Sequence, residues 1–463
     1  MQPSLQCISP VDGRIYAQRS AATPSQIEAA LERARAAQRS WRHVPLAERC
    51  AIIGRFCDEF ERRGADIAGE LTWQMGRPSR FAASEVRGTL ERARHMAAIA
   101  ATALADLDGG PKPAFRRFIR REPLGTVLTI AAWNYPYLIA VNSVVPALIA
   151  GNAVLLKHSA QTPLCGERFA ECLEAAGLPA GLFAVLHLTH ADTERVIRDP
   201  RIDFVAFTGS VAGGYAVQRV AAERFIGVGL ELGGCDPVYV RHDADLAHAI
   251  ENIVDGAYFN SGQSCCGLQR IYVHESVYDR FTGGCVELIS RYRLDDPRDP
   301  QTTLGPVVRT AAADQIRAQT RAAVEAGARP AIEEGAFSRS RPGTPYLAPQ
   351  LLLDAPEHSA VMREEIFGPV AGVMKVRSDT EAVTQMNDSP FGLTAAIWTR
   401  DADAALAIGE QVQTGTWFMN RCDYLDPALA WVGIKDSGRG CTLSVIGYEH
   451  LTRPKSFHLR VTT

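Results

Sequence analysis

Between residues 126 and 231 the chain alternates two rhythms. Short apolar runs at 126–132, 153–156, 182–186, 203–207 and 226–231 are separated by helical spacing near 136–150, 162–176, 192–198 and 211–223. Strand-sized runs alternating with helices cannot form an antiparallel meander; they dictate crossovers and a parallel sheet, hence an α/β fold. After Gly233-Gly234 the rhythm resumes. A helix is expected near 244–259, a strand at 269–274, helices over 276–290 and 308–327, strands near 346–353 and 370–376, and a further helix–strand alternation over 379–419. Before the first sheet, helical patterns cover 25–41, 46–63, 65–75 and 80–104, and a strand-like basic segment spans Phe115 to Arg121. The 454–461 tail alternates like an edge strand, suited to pairing with another subunit. No period of 20–50 residues recurs, which excludes a solenoid.

At 463 residues the chain is long enough for two or three domains with a large core. A net charge of −3 provides no basic field for nucleic acid or an anionic membrane. The most apolar window, Leu138 to Leu156, is broken by Asn142, Pro146, Gly151 and Asn152 and reads as a buried helix followed by a strand. The 11 cysteines include no Cys-x-x-Cys. Cys50/Cys57 and Cys165/Cys172 share helix faces, which suits core packing in a reduced, cytoplasmic protein. The first residues lack the charged and apolar regions of a secretory signal. His187 and His190 lie in a segment that reads as loop with no acidic neighbour in sequence, so no metal is expected there.

Three groups with complementary chemistry stand at turns. Cys265 and Cys266 follow a small, flexible Gly262-Gln263 turn, where a thiol can face a ligand instead of packing as a small hydrophobe. Glu231 ends an apolar strand just before Leu232-Gly233-Gly234. Asn134 lies in Trp133-Asn134-Tyr135-Pro136, after the 126–132 run. A thiol, a carboxylate and a carboxamide can serve as nucleophile, base and oxyanion donor. Read singly, each has a plain alternative: a core thiol, a solvated strand end, a backbone-capping Asn. Nucleotide fingerprints of the Gly-x-Gly-x-x-Gly or Gly-Lys-Ser/Thr type are missing. Phe207-Thr208-Gly209-Ser210 nevertheless ends a strand and opens a helix, whose free N–H groups suit a pyrophosphate. Lys157, followed by His158 and Ser159, emerges at a strand's C-terminal end, where open α/β sheets bind ligands.

These motifs, together with Gly262-Gln263-Ser264-Cys265 and Glu364-Glu365-Ile366-Phe367-Gly368-Pro369, resemble the aldehyde dehydrogenase superfamily over nearly the whole chain. The resemblance implies a Rossmann-like cofactor domain (1–112 and 124–231), an α/β catalytic domain (232–446) and a small β oligomerisation arm (113–123 and 447–463). It implies oxidation of a small-molecule aldehyde to its acid with NAD or NADP, in a homodimer or homotetramer. The family's Gly-Gln-x-Cys spacing selects Cys265 as nucleophile and leaves Cys266 as a neighbour; Glu231 becomes the base and Asn134 the oxyanion donor. Trp133, Lys157, Ser159, Gly209, Ser210, Glu365 and Phe367 become cofactor contacts.

Departures from the family pattern are informative too. The family often has a Glu three residues after the Lys; here Ala160 stands there, which removes a charge that would repel a 2′-phosphate. Cys235 replaces the usual Lys or Asn and is expected to be structural. Met75-Gly76-Arg77-Pro78 and Lys435-Asp436-Ser437-Gly438-Arg439-Gly440 are weaker matches. Ala430-Trp431-Val432-Gly433 replaces the usual Pro-Phe-Gly-Gly, and the segment from Asn420 to Pro427 is expected at the substrate entrance. Arg421 in that segment hints at an anionic substrate tail, such as that of a semialdehyde. A cofactor-independent thiol esterase or acyltransferase, and a non-catalytic scaffold on this fold, are the alternatives.

Overall fold

The computed structural model describes residues 3–462. Two parallel sheets carry the architecture. In the first, the strands run in the order Gly438–Arg439, Gly227–Glu231, Phe204–Thr208, Thr126–Ala131, Ala153–His158 and Phe183–Val185; only Gly438–Arg439 is antiparallel. Thr126–Ala131 is buried at every residue, as a parallel strand covered by helices on both faces must be. The strand order reverses at Thr126–Ala131: the next strand in sequence pairs on one side, and the later Phe204–Thr208 on the other. A crevice outside the C-terminal ends of the strands forms at such a reversal. Both Trp133-Asn134 and Gly209-Ser210 leave their strands there.

The second sheet runs Arg329–Pro330, Gln350–Leu353, Val370–Val376, Leu268–His274, Asp236–Val240, Thr394–Trp398 and Thr416–Met419, with only Arg329–Pro330 antiparallel. The two sheets are joined directly by Glu231 to Asp236, and the chain returns to the first when Gly438–Arg439 pairs with Gly227–Glu231. Trp431, Leu443, Tyr448 and Leu451 accordingly pack into the first core.

The helix Pro136–Ala150 is buried nearly throughout, which explains why its sequence shows so little amphipathic rhythm. It lies against the helix Ser79–Ala103 and feeds Tyr137 into an aromatic cluster with Phe60 and Phe169, at 5.1 and 5.8 Å between ring centroids. Cys57, Cys165 and Cys172 are buried in helices of the same core.

Three features differ from expectation. Ser4–Ile8 and Ile15–Ser20 form a hairpin that has no clear alternating pattern in sequence. The tail strand Thr452–Arg460 pairs along its length with Phe115–Pro123 of the same chain, stacking Phe457 on Phe118 at 4.6 Å. His187 does have an acidic partner, Glu167, 3.1 Å away on the helix Pro163–Ala175, and His190 opens a helix. Among the described residues, no helix is long and apolar enough to cross a membrane.

Candidate active site

The segment expected to be a flexible turn is a rigid one. Phe259–Gly262 forms a single 3-10 turn in which Asn260 and Ser261 adopt left-handed backbone angles, φ 53° and 57°. Gly262 follows at φ 70°, with its α-carbon so close to the Gly368 carbonyl that no side chain fits. Gln263 is 2% exposed; its Oε1 accepts from Val308 N at 2.7 Å and its Nε2 donates to the Asn260 carbonyl at 3.0 Å. Strain of this kind persists only where surrounding contacts over-determine the backbone. Here it delivers a half-buried Cys265 to an open wall, while Cys266 is buried.

A polar lattice ties this turn to Asn134. Asn134 Nδ2 donates to the Gln263 carbonyl at 3.3 Å, and Asn260 Nδ2 donates to the Asn134 carbonyl at 3.1 Å. Arg77 donates through Nη2 to the same Asn134 carbonyl at 2.7 Å and through Nε to Asn260 Oδ1 at 3.2 Å. Its Nη1 pairs with Glu85, and both side chains are fully buried. Glu85 Oε1 in turn accepts from Tyr137 N at 2.8 Å, at the start of the helix Pro136–Ala150. An anion at a helix N-terminus is favoured by the free N–H groups and the helix dipole. One buried ion pair thus fixes both the carboxamide turn and the thiol turn.

Glu231 is held from two sides. Thr442 Oγ1 donates to its Oε1 at 2.6 Å and Thr208 Oγ1 to its Oε2 at 3.1 Å. Burial pushes its carboxyl above the usual range, while the two hydroxyls and Arg92 oppose that shift.

Two cavities meet at these residues. One, about 430 Å³, is lined by Arg92, Tyr135, Cys266, Asp423 and Trp431 among others. The second, about 350 Å³, is lined by Trp133, Gly209, Ser210, Gly233, Glu365 and Phe367. Asn134, Thr208, Glu231 and Cys265 belong to both walls. The second cavity suits a dinucleotide. Ser210 caps the helix Val211–Ala221, accepting from Gly213 N at 3.2 Å, and the helix start lies on the cavity wall. Glu365 Oε1 accepts from Gly234 N at 3.1 Å, its carboxyl pushed up to about 7 by burial. Phe367 meets Trp133 edge-on, with ring centroids 5.6 Å apart. At Gly233 a methyl group would collide with the Glu365 carboxylate.

Lys157 and Ser159 stand apart from both cavity walls. Lys157 is the penultimate residue of the strand Ala153–His158, half-buried and with its ammonium disfavoured by that burial. Ser159 Oγ accepts from Gln161 N at 3.2 Å, closing the following turn. Arg421 is also elsewhere: it is exposed and stacks on the Tyr424 ring at 3.7 Å instead of facing substrate. Cys235 is buried, its sulfur accepting from Gln269 Nε2 at 3.2 Å. Cys266 donates to Asp423 Oδ1 at 2.9 Å. The Cys265 sulfur, burial and Asp423 together hold the Cys266 thiol well above the ordinary range.

Sequence reasoning overlooked Thr442, Arg92 and Glu85, and of the segment expected at the entrance it did not single out Asp423. A signal existed for two of them. Glu85 and Arg92 are seven apart, on the buried face of the helix Ser79–Ala103 that also carries Thr89 and Met96, and charges on a buried helix face call for partners.

Known proteins resemble this chain in sequence and fold. The model of the aldehyde dehydrogenase family matches residues 1–457. A succinate-semialdehyde dehydrogenase [NADP(+)] of Mycobacterium avium is 33% identical over 452 residues, covering 97% of this chain and 95% of the relative. A protein of the same description from Mycobacterium leprae is 32% identical, covering 98% and 99%. Among solved structures, succinic semialdehyde dehydrogenase from Streptococcus pyogenes in complex with NADP+ superposes with a TM-score of 0.94 at 28% identity, covering 98% of this chain and 100% of that one. With the family model matched over residues 1–457 and a relative 33% identical over 97% of the chain, the chain belongs to the aldehyde dehydrogenase family.

Proposed function

We propose that this enzyme oxidises an aldehyde bearing a carboxylate to the corresponding dicarboxylic acid, with Cys265 as nucleophile, Asn134 as oxyanion donor and Glu231 as general base. The observation that carries this reading is the shared wall: Asn134, Thr208, Glu231 and Cys265 line both cavities, so a substrate on one side and a cofactor on the other meet at the thiol. The Cys265 thiolate adds to the carbonyl carbon, forming a C–S bond. The oxygen gains a charge that Asn134 Nδ2 and the Cys265 backbone N–H are suited to hold; losing one such donor typically costs about 10² to 10³ in rate. A nicotinamide dinucleotide, when bound in the second cavity, supplies the hydride acceptor that leaves a thioester on Cys265. Glu231 then takes a proton from water as the water adds to the thioester carbon. The C–S bond breaks and the acid departs.

Trp133, Gly209, Ser210, Glu365 and Phe367 would hold the dinucleotide along the second cavity, with Lys157 and Ser159 toward its adenosine end. With Ala160 no carboxylate opposes a 2′-phosphate, and the Mycobacterium relatives are named for NADP(+). NADP is therefore accepted. Their names also supply the substrate class, a semialdehyde. The segments 113–123 and 447–463, which carry two strands of a three-stranded antiparallel sheet completed by Leu107–Asp108, serve as an assembly arm for a dimer or tetramer.

Two variants test the chemistry. Cys265→Ala should abolish turnover. Glu231→Gln should give one burst of reduced cofactor, with the acyl group trapped on Cys265 and detectable as added mass. Steady turnover in either variant would overturn the assignment.

A further inference from the structure

Arg92 is a buried cation that, among the described residues, touches no carboxylate; Glu231 acts on it only as a nearby charge. It sits on the helix Ser79–Ala103, 8% exposed, and lines the 430 Å³ cavity together with Cys265. Its Nη1 donates to the Leu138 carbonyl at 3.0 Å and to Asn142 Oδ1 at 3.2 Å. Among the described residues, its Nε and Nη2 find no hydrogen-bond partner and its guanidinium joins no ion pair. The contrast with its neighbours on the same wall is plain. Arg77 is neutralised by Glu85. Glu231 is hydrogen-bonded to Thr208 and Thr442. Asp423 accepts from Ser264 at 3.0 Å and from Cys266 at 2.9 Å, and burial pushes its carboxyl up to about 6. Glu91, Arg87 and Asp255 are exposed toward the mouth, where Glu91 accepts from the Tyr424 hydroxyl at 3.0 Å.

A cation taken out of water with no carboxylate in direct contact is costly: burial disfavours the charged form of Arg92, and the charge of Glu231 offsets only part of that. Such a group persists where a partner arrives from outside. Its open edge has a specific shape, too. With Nη1 anchored, Nε and Nη2 remain as the side-on fork that matches a carboxylate through two parallel hydrogen bonds. Tyr135, which lines the same cavity, also carries a buried hydroxyl without a hydrogen-bond partner.

Resting on the reading of Cys265 as the nucleophile, we propose that Arg92 is the anion-binding residue of the substrate cavity, gripping the carboxylate at the far end of the aldehyde through its Nε–Nη2 edge. Asn142 and Leu138 act as positioning groups that aim the fork. Selectivity for a charged aldehyde over a neutral one then resides in a helix remote in sequence from every catalytic turn.

The test compares succinate semialdehyde with 4-methylpentanal, whose isopropyl end has the shape of the carboxylate without its charge. Arg92→Gln keeps a donor for Leu138 and removes the charge. It should lower kcat/KM for succinate semialdehyde about 30- to 100-fold, mainly through KM, and change that for 4-methylpentanal by less than about threefold. Arg92→Lys, which keeps the charge but not the fork, should recover part of the loss. Equal losses on both aldehydes would overturn the proposal, because Arg92 would then act through Glu231 or the fold. An independent readout is succinate binding to Cys265→Ala by calorimetry, which Arg92→Gln should abolish. Binding that persists unchanged in that background would also overturn the proposal. If wild-type enzyme turned over neither aldehyde while succinate binding still required Arg92, the anion site would stand and the reading of the reaction would fall.

Discussion

Thr442 Oγ1 donates to Glu231 Oε1 at 2.6 Å, although 211 residues separate the two in sequence. The contact exists because Gly438–Arg439 adds to the edge of the first sheet, pairing Gly438 with Glu231 and carrying Thr442 over the carboxylate. A base at this site must be charged to work, and burial works against that; the threonine restores part of what burial removes. Glu231 should therefore titrate above the ordinary Glu value of about 4.3, and kcat should fall as pH drops through that raised pKa. Thr442→Val removes a donor that favours the charged form, so the acidic limb of kcat should move to higher pH. An acidic limb unmoved in this variant would show that Glu231 is not the titrating base.

Gly233 faces the Glu365 carboxylate at a separation that leaves no room for a Cβ. Gly233→Ala should push Glu365 out of its hydrogen bond with Gly234 N and away from its place on the wall proposed to hold the dinucleotide. The expected loss is one charge-assisted hydrogen bond, or about 10- to 100-fold in dinucleotide affinity. Titration of NADPH fluorescence reads it directly. Unchanged affinity would remove Glu365 from the cofactor site.

Ala160 closes the turn after the strand that ends in Lys157 and His158. Ala160→Glu would bring a carboxylate toward the proposed adenosine ribose, where a 2′-phosphate carries like charge. The kcat/KM ratio of NADP to NAD should fall about 10- to 100-fold, with NAD turnover little changed. A constant ratio would place the ribose elsewhere, and so would a wild-type enzyme preferring NAD a hundredfold.

What the sequence revealed follows from which interactions are local. The first sheet announces itself because each strand is a contiguous apolar run bounded by turns, and Asn134, Glu231 and Gly209-Ser210 are visible because each stands at a strand's end. Cys265 is visible because it follows the Gly262-Gln263 turn, although that turn is held by Gly368, Val308 and Arg77, which no local pattern connects to it. Thr442 is invisible as a site residue because its meaning depends on a partner far along the chain, and the buried helix face marks Arg92 as a charge in need of a partner without saying that it faces the substrate cavity. Arg421 illustrates the converse. A cation near the expected entrance suggests an anion site, yet its side chain turns outward onto Tyr424, while the unpaired cation is Arg92 on a helix that reads as plain scaffold. The Ser4–Ile8 hairpin escaped notice because much of it is exposed on both faces, so burial imposes no alternation on its sequence.

The Arg77–Glu85 pair offers the sharpest test of how the site is built. Both side chains are almost completely buried, at 1% and 0% exposure, and both make further bonds: Arg77 to Asn134 and Asn260, Glu85 to the start of the helix Pro136–Ala150. Removing one partner leaves the other as an uncompensated buried charge. Arg77→Met or Glu85→Gln should each destabilise the enzyme by about 3–5 kcal/mol. The double variant should lose less than the sum, because no charge is stranded. The two single variants should also differ in activity. Arg77 carries the Asn134 carbonyl itself, so Arg77→Met lets the carboxamide drift and should lower kcat beyond what the loss of folded enzyme explains. Glu85→Gln can still accept from Tyr137 N and should keep more of kcat per folded molecule. Urea unfolding of the variants gives the first comparison, and kcat normalised to active Cys265 sites gives the second. Strict additivity in the double variant would mean that the pair is not energetically coupled, and equal kcat in the two singles would remove Arg77 from the positioning of Asn134.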